Sequence, residues 1–469
     1  MIEVYLAIDF GSTYTKLTAI NMKEKEILTC TKSLTTIKDS VVNGYNLAYK
    51  ELVENLDEKL GSNNYIIKYK NACSSAGGGL KIIAVGLVPE LTATATKIAA
   101  LSAGARVIKT YSFELSDEDI KEIENTTFDI LILSGGTNGG NRDYILKNAK
   151  KIKESGIVEN IIVAGNEEVS NEIREIFKNS NFEYQITKNV MPVVNKIESE
   201  HLREIIREIF MKNIINAKGM EDVKKIVDSI IMPTPTAVIK AAELISKGSK
   251  DIKGLGDIMI IDIGGATTDV HSIAKGLPKS NNVQLKGLEE PYSKRTVEGD
   301  LGMSYSSMAL YEVASLNKIR SYLGTKESKL EIRDNFKFRE ENPNFIASQE
   351  EDIVFNEMMA MLCTEIASDR HVGVLECIYS PMGTIFTQSG KDLTEVKYII
   401  GTGGAITNSR NPQKILETSL YKEADTLLLK PKYAKFLLDK TYILSAMGVL
   451  SQEFPDIALE IIKKYLVEV

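Results

Sequence analysis

Asp9-Phe10-Gly11-Ser12-Thr13-Tyr14-Thr15-Lys16 places an acid, a glycine turn, two hydroxyls and a lysine within eight residues, directly after the β-rich run 2–9. A hairpin there would turn the backbone N–H groups of Gly11, Ser12 and Thr13 towards one point, a nest suited to phosphate oxygens. Lys16 would add a point charge for the same phosphates. Asp9, at the strand end, could hold the water shell of a magnesium ion, which takes one or two carboxylates together with waters and phosphate. Asp262-Ile263-Gly264-Gly265-Ala266-Thr267-Thr268-Asp269 repeats this chemistry after the apolar strand 258–261, with a second acid in place of the lysine. One such segment is an ordinary polar hairpin about as often as a site. Two in one chain point to a pair of phosphate loops, with Gly264, Gly265, Thr267 and Thr268 in the second. Gly401-Thr402-Gly403-Gly404 follows the strand-like run 396–400. Glycines at these positions let backbone approach a base or ribose closely.

The elements that would position these residues alternate. Strands are expected at 2–9, 15–20 and 26–31, a β-meander, followed by a helix at 46–60. Strand and helix then alternate from 81 to 187, the pattern of parallel α/β layers. Helices are expected at 201–215 and 236–246, and 278–300 reads as turn-rich and polar. Mostly helical stretches at 302–323 and 348–371 follow, then a strand at 396–401 and helices near 410–420, 432–450 and 456–467. Two glycine-rich segments, Ser74–Gly79 and Ser134–Gly140, carry hydroxyls. The second follows an apolar strand and precedes a helix, which allows a ligand crevice at the strand end. Arg295–Met303 mixes charge and glycine, and a solvated loop is its simplest reading.

Composition narrows the classes. The chain has 469 residues, 43% hydrophobic and 26% charged, with a net charge of −7. That balance lacks the basic footprint of a nucleic-acid binder. Four separated cysteines without a CxxC pair fit a reducing, cytoplasmic setting. No apolar run approaches the roughly 20 residues of a membrane span. Three scattered histidines give no metal cluster.

The three glycine segments, in this order, resemble the ATPase superfamily of actin, sugar kinases and heat-shock chaperones. Lys16 and Asp269 each stand seven residues after the opening acid, as that superfamily has them. Pro235–Val238 and Ala446–Gly448 resemble its two connecting segments. The resemblance implies an α/β fold of two ribonuclease-H-like lobes closing on ATP or ADP with Mg²⁺. Asp9 and Asp262 would position the hydrated metal, Asp9, Asp262 and Asp269 would serve catalysis, with Asp269 or Asp262 orienting the attacking water, and Gly401, Gly403 and Gly404 would lie against adenosine. One departure stands out: where the chaperones have a catalytic glutamate before Pro-Thr-Ala, this chain has Thr234. Slow hydrolysis, suited to a switch, is the expectation.

Nearly the whole chain is similar to a narrower family, the accessory or reactivating proteins of adenosylcobalamin-dependent glutamate mutase. The segments that carry this are Asp9–Lys16, Cys73–Val88, Leu133–Asn141, Asp262–Val270, Arg295–Met303 and Gly401–Thr407. It implies an ATP-dependent chaperone that exchanges damaged for intact coenzyme in a glutamate, ornithine or lysine mutase. The mutase subunits would be its partners, with no nucleic acid and no membrane. No Asp-x-His-x-x-Gly cobalamin signature is present, so directly bound cobalamin is not expected. The alternatives are a small-molecule kinase of the same superfamily and an ATP-gated scaffold or filament. The expected domains are 1–115 with 188–250 and 440–469 as the first lobe, 116–187 as an inserted α/β subdomain, and 254–435 as the second lobe.

Overall fold

The computed structural model describes residues 1–11, 14–35, 41–75, 80–216, 223, 225–324, 329–380, 383–423 and 427–469. The chain divides into two compact units, residues 1–237 with 287–289, and residues 238–286 with 290–469.

The first unit is built on β1 (Ile2–Phe10), β2 (Tyr14–Asn21), β3 (Glu26–Leu34), β4 (Tyr65–Ser74) and β10 (Ser229–Pro233). Their order across the sheet is β3-β2-β1-β4-β10. β1, β2 and β3 form an antiparallel meander, while β4 and β10 run parallel to β1. Numbered by appearance, the order is 3-2-1-4-5, the ribonuclease-H-like arrangement. The unbroken apolar run Val4–Ile8 is buried because both faces of β1 are covered.

Between β4 and β10 the chain builds a second sheet from β5 (Lys81–Gly86), β6 (Arg106–Ser112), β7 (Ile130–Leu133), β8 (Asn160–Val163) and β9 (Tyr184–Ile186). All its pairings are parallel, in the order β6-β5-β7-β8-β9. The insertion therefore begins near Lys81 rather than at 116. β5 and β6 hydrogen-bond into the inserted sheet and not to the meander, which strand propensity alone does not reveal. Helix Asp143–Glu154 covers one face, burying Ile145, Asn148, Ala149 and Ile152 at helical spacing.

The second unit repeats the first scaffold with β11 (Ile258–Ile263), β12 (Thr268–Ile273), β14 (Ser293–Glu298), β17 (Tyr398–Thr402), β18 (Lys435–Leu438) and β19 (Val467–Glu468). The order β14-β12-β11-β17-β18-β19 begins as 3-2-1-4-5, with the same parallel and antiparallel pairings. The long helix Glu350–His371 packs its Met358, Leu362 and neighbours on this sheet. A three-stranded sheet of β13 (Val283–Leu285), β16 (Gly383–Ser389) and β15 (Val374–Ser380) completes the unit.

Two expectations are corrected here. Residues 432–450 are not one helix: β18 occupies 435–438, where Phe436 and Leu438 alternate inward, and the helix is Leu444–Leu450. The C-terminal segment 440–469 belongs to the second unit, because β19 pairs antiparallel with β18. Among the described residues no helix is long and apolar enough to cross a membrane.

Candidate functional site

In the first unit Gly11 closes the β1–β2 turn, its N–H donating to the Tyr14 carbonyl at 3.1 Å. A Cβ on Gly11 would stand 2.5 Å from that oxygen, so only glycine fits. Asp9 faces Lys16 across the ladder and Cys73 on its other side. Ser12 and Thr13 lie outside the described residues. The Asp9 carboxylate is buried at the strand end and accepts a 2.6 Å hydrogen bond from the Thr234 hydroxyl. β10 delivers Thr234: Met232 stands level with Cys73, itself level with Asp9, and helix Thr234–Lys247 starts immediately after. The residue that departs from the chaperone pattern thus sits on the candidate magnesium acid. Burial, reinforced by the Asp9 charge, holds the Cys73 thiol well above its ordinary range, so it stays protonated and unreactive.

The second unit has the same turn. Gly264 N–H donates to the Thr267 carbonyl at 2.9 Å, and Asp262 stands opposite Asp269 on β12 and Thr402 on β17. Asp269 is held from the third strand: Arg295 on β14 donates through Nε at 2.8 Å, and its Nη2 lies 2.6 Å from the same oxygen. Arg295 is 9% exposed, and its Nη1 has no hydrogen-bond partner. The neighbouring His271 is pushed down to about 4, first by burial and then by the Arg295 charge, so it is neutral near pH 7.

Residues 299–306 strap this hairpin. Met303 N–H donates to Gly264 O at 3.1 Å, Ser304 N–H to Gly265 O at 2.8 Å, and the Ser306 hydroxyl to Ala266 O at 2.7 Å. Gly302 leaves no room for a side chain, since a Cβ would come within 2.6 Å of Gly265 O. Arg370 ties the strap down through a two-pronged pair with Asp300 at 2.8 and 2.9 Å. Arg295–Met303 is therefore a strand and a brace rather than a solvated loop. No apolar–polar alternation marks its strand half, since Val297 is the one apolar residue of Lys294–Glu298; the β-branched pair Thr296-Val297 was the signal available.

Gly403 adopts φ +85°, and a Cβ there would stand 2.4 Å from Ile263 O and 2.7 Å from Asp262 Oδ1. Backbone thus meets the Asp262 carboxylate directly. Gly404 follows at the start of a single helical turn, beside Asn408 and the Tyr442 hydroxyl. Two expected site residues serve the fold instead. The fully buried Thr268 donates its hydroxyl to Leu301 O at 2.8 Å, and a Cβ on Gly401 would strike Ile406 and Leu416. So the structure gathers Asp262, Gly264, Gly265, Thr267, Asp269, Gly403 and Gly404 in one unit, and Asp9, Gly11 and Lys16 in the other.

Two ribonuclease-H-like units, each opening with an acid–glycine hairpin at the same register, define the actin-like ATPase class of fold. The sequence model of the MutL family, described as MutL protein, matches residues 5–466. Protein MutL of Clostridium tetanomorphum is 49% identical over 467 residues, covering 100% of both chains. The chain belongs to the MutL family, the accessory proteins of glutamate mutase and not the mismatch-repair proteins of the same short name. Among solved structures, an activator of 2-hydroxyisocaproyl-CoA dehydratase from Clostridium difficile aligns at TM-score 0.31 and 11% identity, covering 98% of this chain and 97% of that one. Gluconate kinase from Lactobacillus acidophilus aligns at TM-score 0.36 and 10% identity, covering 100% and 93%. Scores this low add nothing to the strand order itself.

Proposed function

We propose that this protein binds ATP or ADP with magnesium and uses it, by slow hydrolysis, to reactivate an adenosylcobalamin-dependent mutase. The observation that carries the nucleotide half is the duplicated hairpin. In both units a strand-end acid precedes a glycine whose N–H closes on the residue three further on. Each unit offers a single strand-end carboxylate, Asp9 in one and Asp262 in the other, and among the described residues no group of three or more His, Cys, Asp or Glu could hold a metal, a sparse donor set that fits a hydrated magnesium ion. Gly403 brings backbone against Asp262, and Gly404, where a Cβ would meet nothing closer than 3.6 Å, leaves room that suits a nucleoside. Magnesium, when bound, would supply charge neutralisation of the phosphates. Asp269, pinned by Arg295, would orient water or the metal's hydration shell. No glutamate stands at position 234, so the hydroxyl there orients Asp9 and takes no proton.

The mutase half rests on family membership: glutamate mutase or a related amino mutase would be the partner, and damaged coenzyme would be exchanged for intact. A nucleotide can drive such a cycle only by binding two states of the protein unequally.

Calorimetric titration with ATP and ADP plus magnesium tests the first half. One nucleotide per chain is expected, with binding badly weakened in both Asp9→Ala and Asp262→Ala. A folded wild type that binds neither nucleotide overturns the reading. Recovery of activity by an inactivated glutamate mutase, dependent on ATP and on this protein, tests the second. Nucleotide binding without recovery, accompanied by acceptor-dependent ADP release, would favour a small-molecule kinase.

A further inference from the structure

The inserted sheet has a feature that neither hairpin uses. Numbered by appearance, its order is 2-1-3-4-5, all parallel. In open sheets of this order, ligands bind outside the carboxyl ends of the strands where the winding reverses. The reversal here lies between β5 and β7, and the packing shows it. Helix Thr94–Ser102, which follows β5, packs Ala95 and Ala99 with Ile82, Ile130 and Ile132 on one face. Helix Asp143–Glu154, which follows β7, packs Ile145 and Ala149 with Ile83, Val85, Leu131 and Leu133 on the other. The loops leaving β5 and β7 must therefore part at the carboxyl edge, between Gly86–Val88 and Ser134–Thr137.

The two lips of this parting differ. On the β5 lip the backbone donors are satisfied internally: Leu87 N–H and Val88 N–H both donate to the Thr92 hydroxyl, at 2.7 and 3.1 Å. On the β7 lip none of the N–H groups of Gly135, Gly136 and Thr137 donates to any described residue. Gly135 and Gly136 are buried, with φ of +142° and +72°. Successive N–H groups presented by such a turn form an anion-binding concavity, and buried donors left unpaired cost free energy. The loop is fixed from outside. Asn189, 1% exposed, donates to Gly136 O and to Asn138 Oδ1, both at 2.9 Å. Asn166 reaches Gly140 O and Asn141 O at 3.4 and 3.3 Å. The floor is polar as well, since Thr96 donates to the Ser134 hydroxyl at 2.8 Å. Leu87, Val88, Leu91 and Thr137 are half-buried at the rim.

We propose that the β7 lip is a binding site for the oxyanion group of a small ligand, a phosphate or a carboxylate, independent of the nucleotide at the hairpins. The test uses the full chain labelled with ¹⁵N-glycine, with the Gly135 and Gly136 amides assigned by selective labelling. Inorganic phosphate and acetate are titrated separately. A saturable shift of these two amides with one anion supports the site and names the oxyanion. Thr137→Glu, which puts a negative charge at the rim, should weaken that binding by at least about tenfold without lowering the melting midpoint, since the residue is only half-buried. If neither anion moves these amides, or if only the hairpin glycines Gly11 and Gly264 respond, the proposal falls. The wild-type titration decides this even if the variant fails to fold.

Discussion

The two hairpins share a strand register and a glycine N–H that bonds the carbonyl three residues on, and differ in what stands at the seventh position. In the first unit Lys16 faces Asp9 across the ladder, and Asp9 is steadied by Thr234 from the end of β10. In the second, Asp269 faces Asp262; Arg295 from β14 holds Asp269, and the 299–306 strap holds the turn between the two acids. A lysine needs no support of this kind, because its charge already opposes the acid. An acid opposite an acid does need it, since like charges on facing strands repel. The third strand and the strap therefore supply in the second unit what one residue supplies in the first.

Removing the support should give the largest difference. Arg295→Met leaves Asp269 partly buried and uncompensated, at a cost of about 3–5 kcal/mol. Lys16→Met should change stability by less than about 1 kcal/mol, the usual worth of a partly exposed charge. Urea unfolding of both variants checks this, and equal midpoints would break the comparison.

The base of the second sheet offers a further contrast. Lys391 is fully buried and donates to Ala274 O at 2.7 Å and Tyr292 O at 2.8 Å, beside the ends of β12 and β14. Burial pushes its pKa down to about 7. No lysine of the first unit is buried among the described residues. Between the depressed folded value and the ordinary lysine value the unfolded chain binds the extra proton, so stability should rise as pH goes from about 7 to about 10. The gain is at most about 4 kcal/mol. Lys391→Met should flatten that slope, as read by denaturant midpoints across the range.

Nucleotide affinity sharpens the comparison from the other side. Asp9→Ala and Asp262→Ala should each weaken magnesium nucleotide binding by about 100-fold, near 2.7 kcal/mol. A large loss in one variant alone would mean that the duplicated hairpins are not equivalent in function. The smallest effect is expected of Thr234→Val. Loss of a hydrogen bond to a charged group is worth about 1.5 kcal/mol, or roughly tenfold in affinity by titration. Thr234→Glu would crowd Asp9 with a second carboxylate, and faster ATP turnover in that variant would show that the position still reaches the attacking water.

Much of this was legible in residue order. The acid–glycine–hydroxyl segments at Asp9 and Asp262, and Gly403 beside them, carry their chemistry in local spacing, because a tight hairpin is formed by residues next to each other in the chain. The alternation from 81 to 187 announced parallel layers for the same reason. The places that misled were pairings between distant segments. β5 and β6 read as part of the first lobe until their partners were known, and β19 joined the second sheet through two residues.

By itself, then, the sequence determined which short segments place an acid and glycines at a strand end, that the fold is α/β, and the family. Tertiary structure decided who supports those segments: Thr234 on Asp9 across 225 residues, Arg295 on Asp269 across 26, and Asp439 beside Thr402. It also decided that Thr268 and Gly401 serve the fold. Turn chemistry acts over three or four residues and is written locally. Charge compensation and burial depend on which distant strand arrives alongside, and sheet pairing alone settles that.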